Sequence, residues 1–217
     1  HSAAVHVLVN AKADVDGSDR FGETPLHFAA ENDHSVALQV LIDAKAAVDV
    51  KDRYNSTSLH RAASRGHSVA LQVLLDAKAT VNIKDNIDRT PLYDAAEKGH
   101  SGTVQALVDA KADLTVKEKR YGTTALHVAV KNGHRGVVQV LVLANVDTDV
   151  KNNDGYTPLH LAAMRGNRDV VHILINANAI IDPQDANKES PLHIAAARGH
   201  VDVIRVLLED FHHHRLS

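Results

Sequence analysis

Apolar and polar residues alternate along this chain in one pattern that comes back every 33 or 34 residues. Each period begins with a leucine followed by paired small residues, as in Leu26 and then Ala29–Ala30. That spacing predicts a short helix whose small side chains let a neighbour approach closely. Threonine or serine, in most periods followed by proline, stands just ahead of it, which is an N-cap followed by the favoured first helical position. A glycine ends the helix, since it reaches the left-handed conformation of a C-cap without strain. The next stretch, such as Val69, Leu71, Val73, Leu74 and Leu75, has the spacing of a second, amphipathic helix. Residues like Val81-Asn82-Ile83-Lys84-Asp85-Asn86 then read as an extended segment and a turn.

The repeat is explicit in the letters. Thr24-Pro25-Leu26-His27 is echoed at Thr57-Ser58-Leu59-His60, Thr90-Pro91-Leu92-Tyr93, Thr124-Ala125-Leu126-His127, Thr157-Pro158-Leu159-His160 and Ser190-Pro191-Leu192-His193. A second echo follows at Gly66-His67, Gly99-His100, Gly133-His134, Gly166-Asn167 and Gly199-His200, with Asp33-His34 in the first unit. Fixed periods of this length mark stacked repeats, because one unit alone cannot bury its apolar face. These residues resemble the ankyrin repeat, whose pattern runs T-P-L-H-x-A-A-x-x-G-H into an apolar second helix, and the resemblance covers nearly the whole chain. It implies an all-α solenoid of helix-turn-helix units joined by hairpins, elongated and curved. On that frame residues 1–217 form a single repeat domain, with a half unit at 1–18 and units at 19–51, 52–84, 85–118, 119–151, 152–184 and 185–217. The last unit loses the pattern after Asp210, and neither end shows a polar cap, which implies a piece of a longer array.

Some residues depart from the family pattern. Lys45, Lys78, Lys111, Asn145 and Asn178 stand where the resemblance implies a glycine in the left-handed region. A side chain there costs about 1 kcal/mol, and somewhat less for Asn. Gly102 and Gly136 weaken second helices, Val130 replaces a small alanine, and one extra residue enters near Glu118. The middle of the array is therefore expected to be its softest part.

Composition narrows the function. Aromatic residues make up 3% of the chain and tryptophan is absent, so the core must be built from Ala, Val, Leu and Ile in thin layers. A net charge of −3 argues against a globally basic nucleic-acid binder. The lack of cysteine excludes disulfides, thiol catalysis and Cys-based zinc sites, and fits an intracellular, cytoplasmic setting. No apolar run reaches the roughly 20 residues of a membrane span.

Sixteen histidines raise the question of metal. Most are accounted for by the repeat, and the resemblance implies that they hydrogen-bond between loops of adjacent units. Ligands one period apart lie too far from each other to share a metal shell. His212-His213-His214 reads as a tail or an added tag. No G-x-S-x-G, H-E-x-x-H or P-loop is present. The sequence places no carboxylate in an apolar pocket. Neither a catalytic set, a cofactor nor a small-molecule substrate is expected.

In the family, hairpin tips and first helices line the commonest contact surface. Here the third turn position holds Phe21, Tyr54, Ile87, Tyr121, Asp154 and Asn187, and Tyr156 follows two residues after Asp154. Exposed rings are what a recognition surface tends to use. Basic residues gather on the same side: Lys51, Lys84, Lys117 and Lys151 before the turns, Arg20, Arg53, Arg89 and Arg120 within them, and Arg65, Lys98, Lys131, Arg165 and Arg198 near the first-helix ends. Asp43, Asp76, Asp109, Asp169 and Asp202 fall on the second helices or their ends. The chain is therefore expected to bind, as a monomer, a protein partner with an extended or acidic segment, and Lys117-Glu118-Lys119-Arg120-Tyr121 is the strongest local candidate. The alternatives are a non-catalytic part of a larger effector, toxin or channel, and a nucleic-acid binder recognisable by steep salt dependence.

Overall fold

The structure is a computed structural model that describes residues 14–215, with side chains described up to residue 209. The half unit expected at 1–18 falls largely on residues outside that range, as do the side chains of His212–His214. The described residues form twelve α-helices and no strand. By contacts they divide into two compact units, the first ending at Asp113 and the second beginning at Leu114. In the first unit the helices are α1 (Pro25–Glu31), α2 (Ser35–Asp43), α3 (Ser58–Arg65), α4 (Ser68–Asp76), α5 (Pro91–Lys98) and α6 (Ser101–Asp109). In the second they are α7 (Ala125–Asn132), α8 (Arg135–Leu143), α9 (Pro158–Arg165), α10 (Arg168–Asn176), α11 (Pro191–Arg198) and α12 (Val201–Arg215). Each odd helix packs on the even helix that follows it, and within a unit odd helices stack on odd and even on even.

The core is thin and repetitive, as a chain poor in large rings requires. Leu26, Leu59, Leu92, Leu126 and Leu159 of the first helices are buried, with Ala30, Ala62–Ala63, Ala95–Ala96 and Ala162–Ala163 fully enclosed beside them. Leu38, Leu71, Leu74, Leu107, Leu141, Leu174 and Leu207 fill the same role on the second helices. Val130 fits this layer without exposure. Gly102 sits at an exposed position where a Cβ would meet little beyond Ser68 Oγ at 3.7 Å.

Both helix ends follow local chemistry. Thr24, Thr57, Thr90, Thr124, Thr157 and Ser190 are N-caps in extended conformation. Except at Thr90, where Tyr93 stands three residues on, the backbone N–H of the cap donates to Nδ1 of the histidine three residues on, at 3.1 Å for His27 and 3.2 Å for His60. The same histidines use Nε2 to donate to a backbone carbonyl of the next repeat: His27 to Ser56, His60 to Arg89, His127 to Tyr156 and His160 to Glu189. These partners fix the neutral tautomer with its proton on Nε2. The second set of histidines works backwards, with His67, His100 and His200 bonding the carbonyls of Glu31, Ser64 and Met164 in the preceding repeat. The His100 ring lies so close to Gly66 that a Cβ there would stand 2.5 Å from Nδ1, and His200 over Gly166 repeats the arrangement at 2.6 Å.

The left-handed positions expected after the second helices are occupied. Lys45, Lys78 and Lys111 have φ of 69°, 66° and 66°, and Asn145 and Asn178 have 58° and 62°. Each supports a closed terminus: Lys45 N–H bonds the Ile42 carbonyl and Ala46 N–H the Leu41 carbonyl, which is a Schellman motif. The last repeat lacks the Ala-Lys-Ala or Ala-Asn-Ala stop, and α12 runs on for 15 residues instead of 9.

Candidate functional site

The hairpin tips are built on side-chain acceptors. Asp52 Oδ1 takes the N–H groups of Tyr54 and Ser56, and Asp19, Asp85, Asn152 and Asp185 repeat the device. The turn at Glu118 is one residue longer, and its acceptor is one methylene longer. Glu118 takes the N–H groups of Arg120, Tyr121 and Thr123 and the Thr123 hydroxyl. Burial pushes its pKa up, but these four donors outweigh burial and hold it below the usual carboxylate value. Adjacent tips are tied by single backbone bonds, Arg53 N–H to the Phe21 carbonyl and Asn86 N–H to that of Tyr54 in the first unit, Asn153 N–H to that of Tyr121 in the second.

This scaffold treats the candidate rings differently. Tyr54 and Tyr121 are 53% and 46% exposed, and Ile87 is also exposed. Arg53 covers the Tyr54 ring at 4.7 Å, and Arg120 that of Tyr121 at 4.9 Å, with Lys131 at 5.9 Å. Phe21 is half-buried between the guanidinium groups of Arg20 and Arg53, at 4.5 and 4.3 Å. Tyr156 is half-buried and leans on the His160 ring at 5.8 Å. The four rings read as one row in the sequence are thus two open ones and two half-buried ones. Phe28 on α1, 46% exposed, is an open ring the tip pattern did not include.

The basic residues also separate. Lys51, Lys117 and Lys151 direct their ammonium groups to the carbonyls of Lys84, Lys151 and Gln184, one repeat ahead, and so serve the scaffold. In the first unit, Arg65 pairs with Glu31, and Lys98 with Glu97. Arg89 lies among Asp85, Asp94 and Glu97 at 3.1, 3.7 and 3.7 Å. Arg61 engages Glu23, Asp52 and Glu31. Asp52, Arg61, Asp85, Arg89, Asp94, Glu97 and Lys98 line a cleft of about 320 Å³ whose charges largely cancel. In the second unit Arg120, Lys131, Arg165 and Arg198 are exposed, and the carboxylate pairing seen there joins Arg135 to Asp169 instead.

Asp94 is a buried carboxylate enclosed among charged side chains rather than in an apolar pocket. It is 9% exposed, and its pKa is raised to about 7, first by burial and then by Asp85 and Glu97, with Arg89 opposing. The signal was available: the same repeat position holds Phe28, Val128, Leu161 and Ile194. A folded-state pKa above the ordinary 3.8 means that stability declines as pH climbs from that value to about 7. The decline is on the order of a few kcal/mol. Asp94→Asn removes it, so the variant should melt above the parent chain at about pH 8 and close to it at about pH 5. A lower melting point for the variant at the higher pH would mean that attraction to Arg89 outweighs burial.

Among the described residues, no three His, Asp or Glu side chains converge as metal ligands, and no helix is long and apolar enough to cross a membrane. The family model for ankyrin repeats matches three times, over residues 1–85, 70–152 and 136–215. No curated protein matches the chain in sequence. Among solved structures, the ankyrin repeat domain of Bcl-3, a member of the IkappaB protein family, superposes with a TM-score of 0.83 at 24% identity, over 94% of this chain and 91% of that one. The ankyrin repeat domain of human ASB11 gives 0.84 at 24% identity, over 95% and 91%. Matched along almost its whole length and built from the repeat's own caps, turns and histidine links, the chain belongs to the ankyrin repeat family.

Proposed function

We propose that this chain is a non-catalytic protein-binding module, acting as a cytoplasmic monomer, that takes its partner on the face formed by hairpin tips and first helices. Ankyrin repeat domains generally mediate protein–protein contacts, which supports the class of function. The observation that carries the choice of face is the exposure of Tyr54, Ile87 and Tyr121 at tips held rigid by side-chain acceptors and tip-to-tip backbone bonds. A ring with a guanidinium stacked on it offers large contact area, little rotamer entropy to lose and a charge at its rim. Arg53, Arg65, Arg89, Lys98, Arg120, Lys131 and Arg165 complete the surface, with Phe21 and Tyr156 as its half-buried support.

The test is affinity capture from a lysate of the source cells, with the natural chain beside Tyr54→Ala/Tyr121→Ala. Both rings are exposed, so the double variant should keep its melting temperature. Proteins held by the natural chain and lost by the variant are the expected result. Capture of the same set by both would move the binding surface away from the tips.

A further inference from the structure

The two units present different chemistry on their first helices. In the first unit the position after the histidine, or after Tyr93, holds Phe28, Arg61 and Asp94; in the second it holds Val128, Leu161 and Ile194. Three residues further on, the first unit has Glu31, Ser64 and Glu97, and the second has Lys131, Met164 and Ala197. The carboxylates that neutralise Arg61, Arg65, Arg89 and Lys98 therefore have no counterparts at those positions beside Arg165 and Arg198. On the second unit's first helices Val128, Leu161 and Ile194 are buried, Met164 and Ala197 stand where the first unit has Ser64 and Glu97, and Arg120 and Lys131 converge on the Tyr121 ring.

We infer that the second unit carries the specificity-determining part of the binding face, and that its occupant is an extended protein segment with carboxylates about three residues apart. This rests on the binding-face reading above and deepens it. Arg165 and Arg198 hold the same position on α9 and α11, which pack against each other. Packed helices lie roughly 8–10 Å apart. An extended segment in the polyproline-II form rises about 3.1 Å per residue with three residues per turn, so every third side chain points the same way and meets the next cation. The first unit's cleft is closed by its own ion pairs, and an acidic segment there would have to displace carboxylates already in place. Exposed cations without carboxylate partners give up only hydration on binding.

The experiment measures binding of a labelled synthetic peptide with glutamate at every third position, its glutamine counterpart, and a single-stranded oligonucleotide of matched charge. The full chain is compared with two variants of matched melting temperature: Arg120→Ala/Lys131→Ala/Arg165→Ala/Arg198→Ala, and Arg53→Ala/Arg65→Ala/Lys98→Ala. The glutamate peptide should bind and the glutamine peptide should not. The second-unit variant should lose about tenfold or more in affinity, and the first-unit variant, which removes only outlying contacts of the same surface, distinctly less, about threefold. Equal losses in both variants, or a loss confined to the first, overturn the assignment to the second unit. Tighter binding of the oligonucleotide, or failure of the glutamate peptide to bind, overturns the acidic protein segment as the occupant. The capture experiment with the tyrosine variant does not depend on this peptide, so the broader reading stands or falls separately.

Discussion

Replacing His160 with alanine should destabilise the chain by about 3 kcal/mol or more, among the largest losses any single substitution here can cause. Its Nδ1 accepts the Thr157 N–H at 3.1 Å and lies 2.9 Å from the Thr157 hydroxyl, while Nε2 donates to the Glu189 carbonyl at 3.1 Å. Alanine leaves a buried cap without its acceptor and a carbonyl without its donor, in a layer with no spare volume. The same geometry makes acid destructive. Protonation puts a second hydrogen on Nδ1, which then faces the cap N–H donor to donor. Burial lowers the pKa of His27, His60, His127 and His160 below 6.5, with His127 falling to about 4. A folded-state pKa below the unfolded one gives stability that is complete above the unfolded value and lost as pH falls through it. For His127 the loss spans pH 6.5 to about 4 and amounts to roughly 3 kcal/mol. Melting temperature against pH should therefore drop below about pH 6.5, where the four histidines act together and Asp94, working in the opposite sense, offsets only part of their loss. His127→Gln keeps an acceptor for the cap but cannot titrate, so its profile should be shallower. An unchanged slope in that variant would place the acid sensitivity elsewhere.

Replacing Lys45, Lys78 and Lys111 together with glycine should stabilise the chain by about 3 kcal/mol, roughly 1 kcal/mol at each position. All three lysines hold φ near +66° to +69°, where a Cβ crowds the neighbouring backbone, and all three are exposed, so little contact is lost. The Schellman bonds are made by backbone atoms and survive the change. Positions a full repeat apart should add. Asn145 and Asn178 tolerate the left-handed region better, and glycine there should gain less. Urea midpoints for the three single variants and the triple variant measure this; a triple variant no more stable than the parent would show that glycine's extra freedom in the unfolded chain cancels the relief of strain.

Features that depend on a few neighbouring residues were legible in the sequence. The caps follow from the period and from local chemistry, and the left-handed lysines and the histidine links from the resemblance to the ankyrin repeat. The candidate site was legible by type but not in detail. Whether Tyr121 opens to solvent and Tyr156 leans on His160 depends on a two-residue offset within the turn. The division of the basic stripe depends on which side chains of neighbouring repeats meet, as Arg61 meets Glu23 across 38 residues. The lysines before the turns looked free because their acceptors are backbone carbonyls, which every residue carries and no composition records.

The close fit between Gly66 and His100, and between Gly166 and His200, bears on how such an array can change in length. Each seam is made of two halves, a glycine in one repeat and a histidine ring in the next. Most copies of the period carry both halves, the exceptions being Asp33 for the glycine and Asn167 for the ring. Inserting or deleting a whole period between complete copies therefore rebuilds the seams, while a partial insertion leaves a ring facing the wrong backbone. Where the ring is replaced by Asn167, a Cβ at Gly133 would meet its side-chain nitrogen only at 3.6 Å. That seam is the one through which recombination with a less closely matched repeat would meet the least steric resistance.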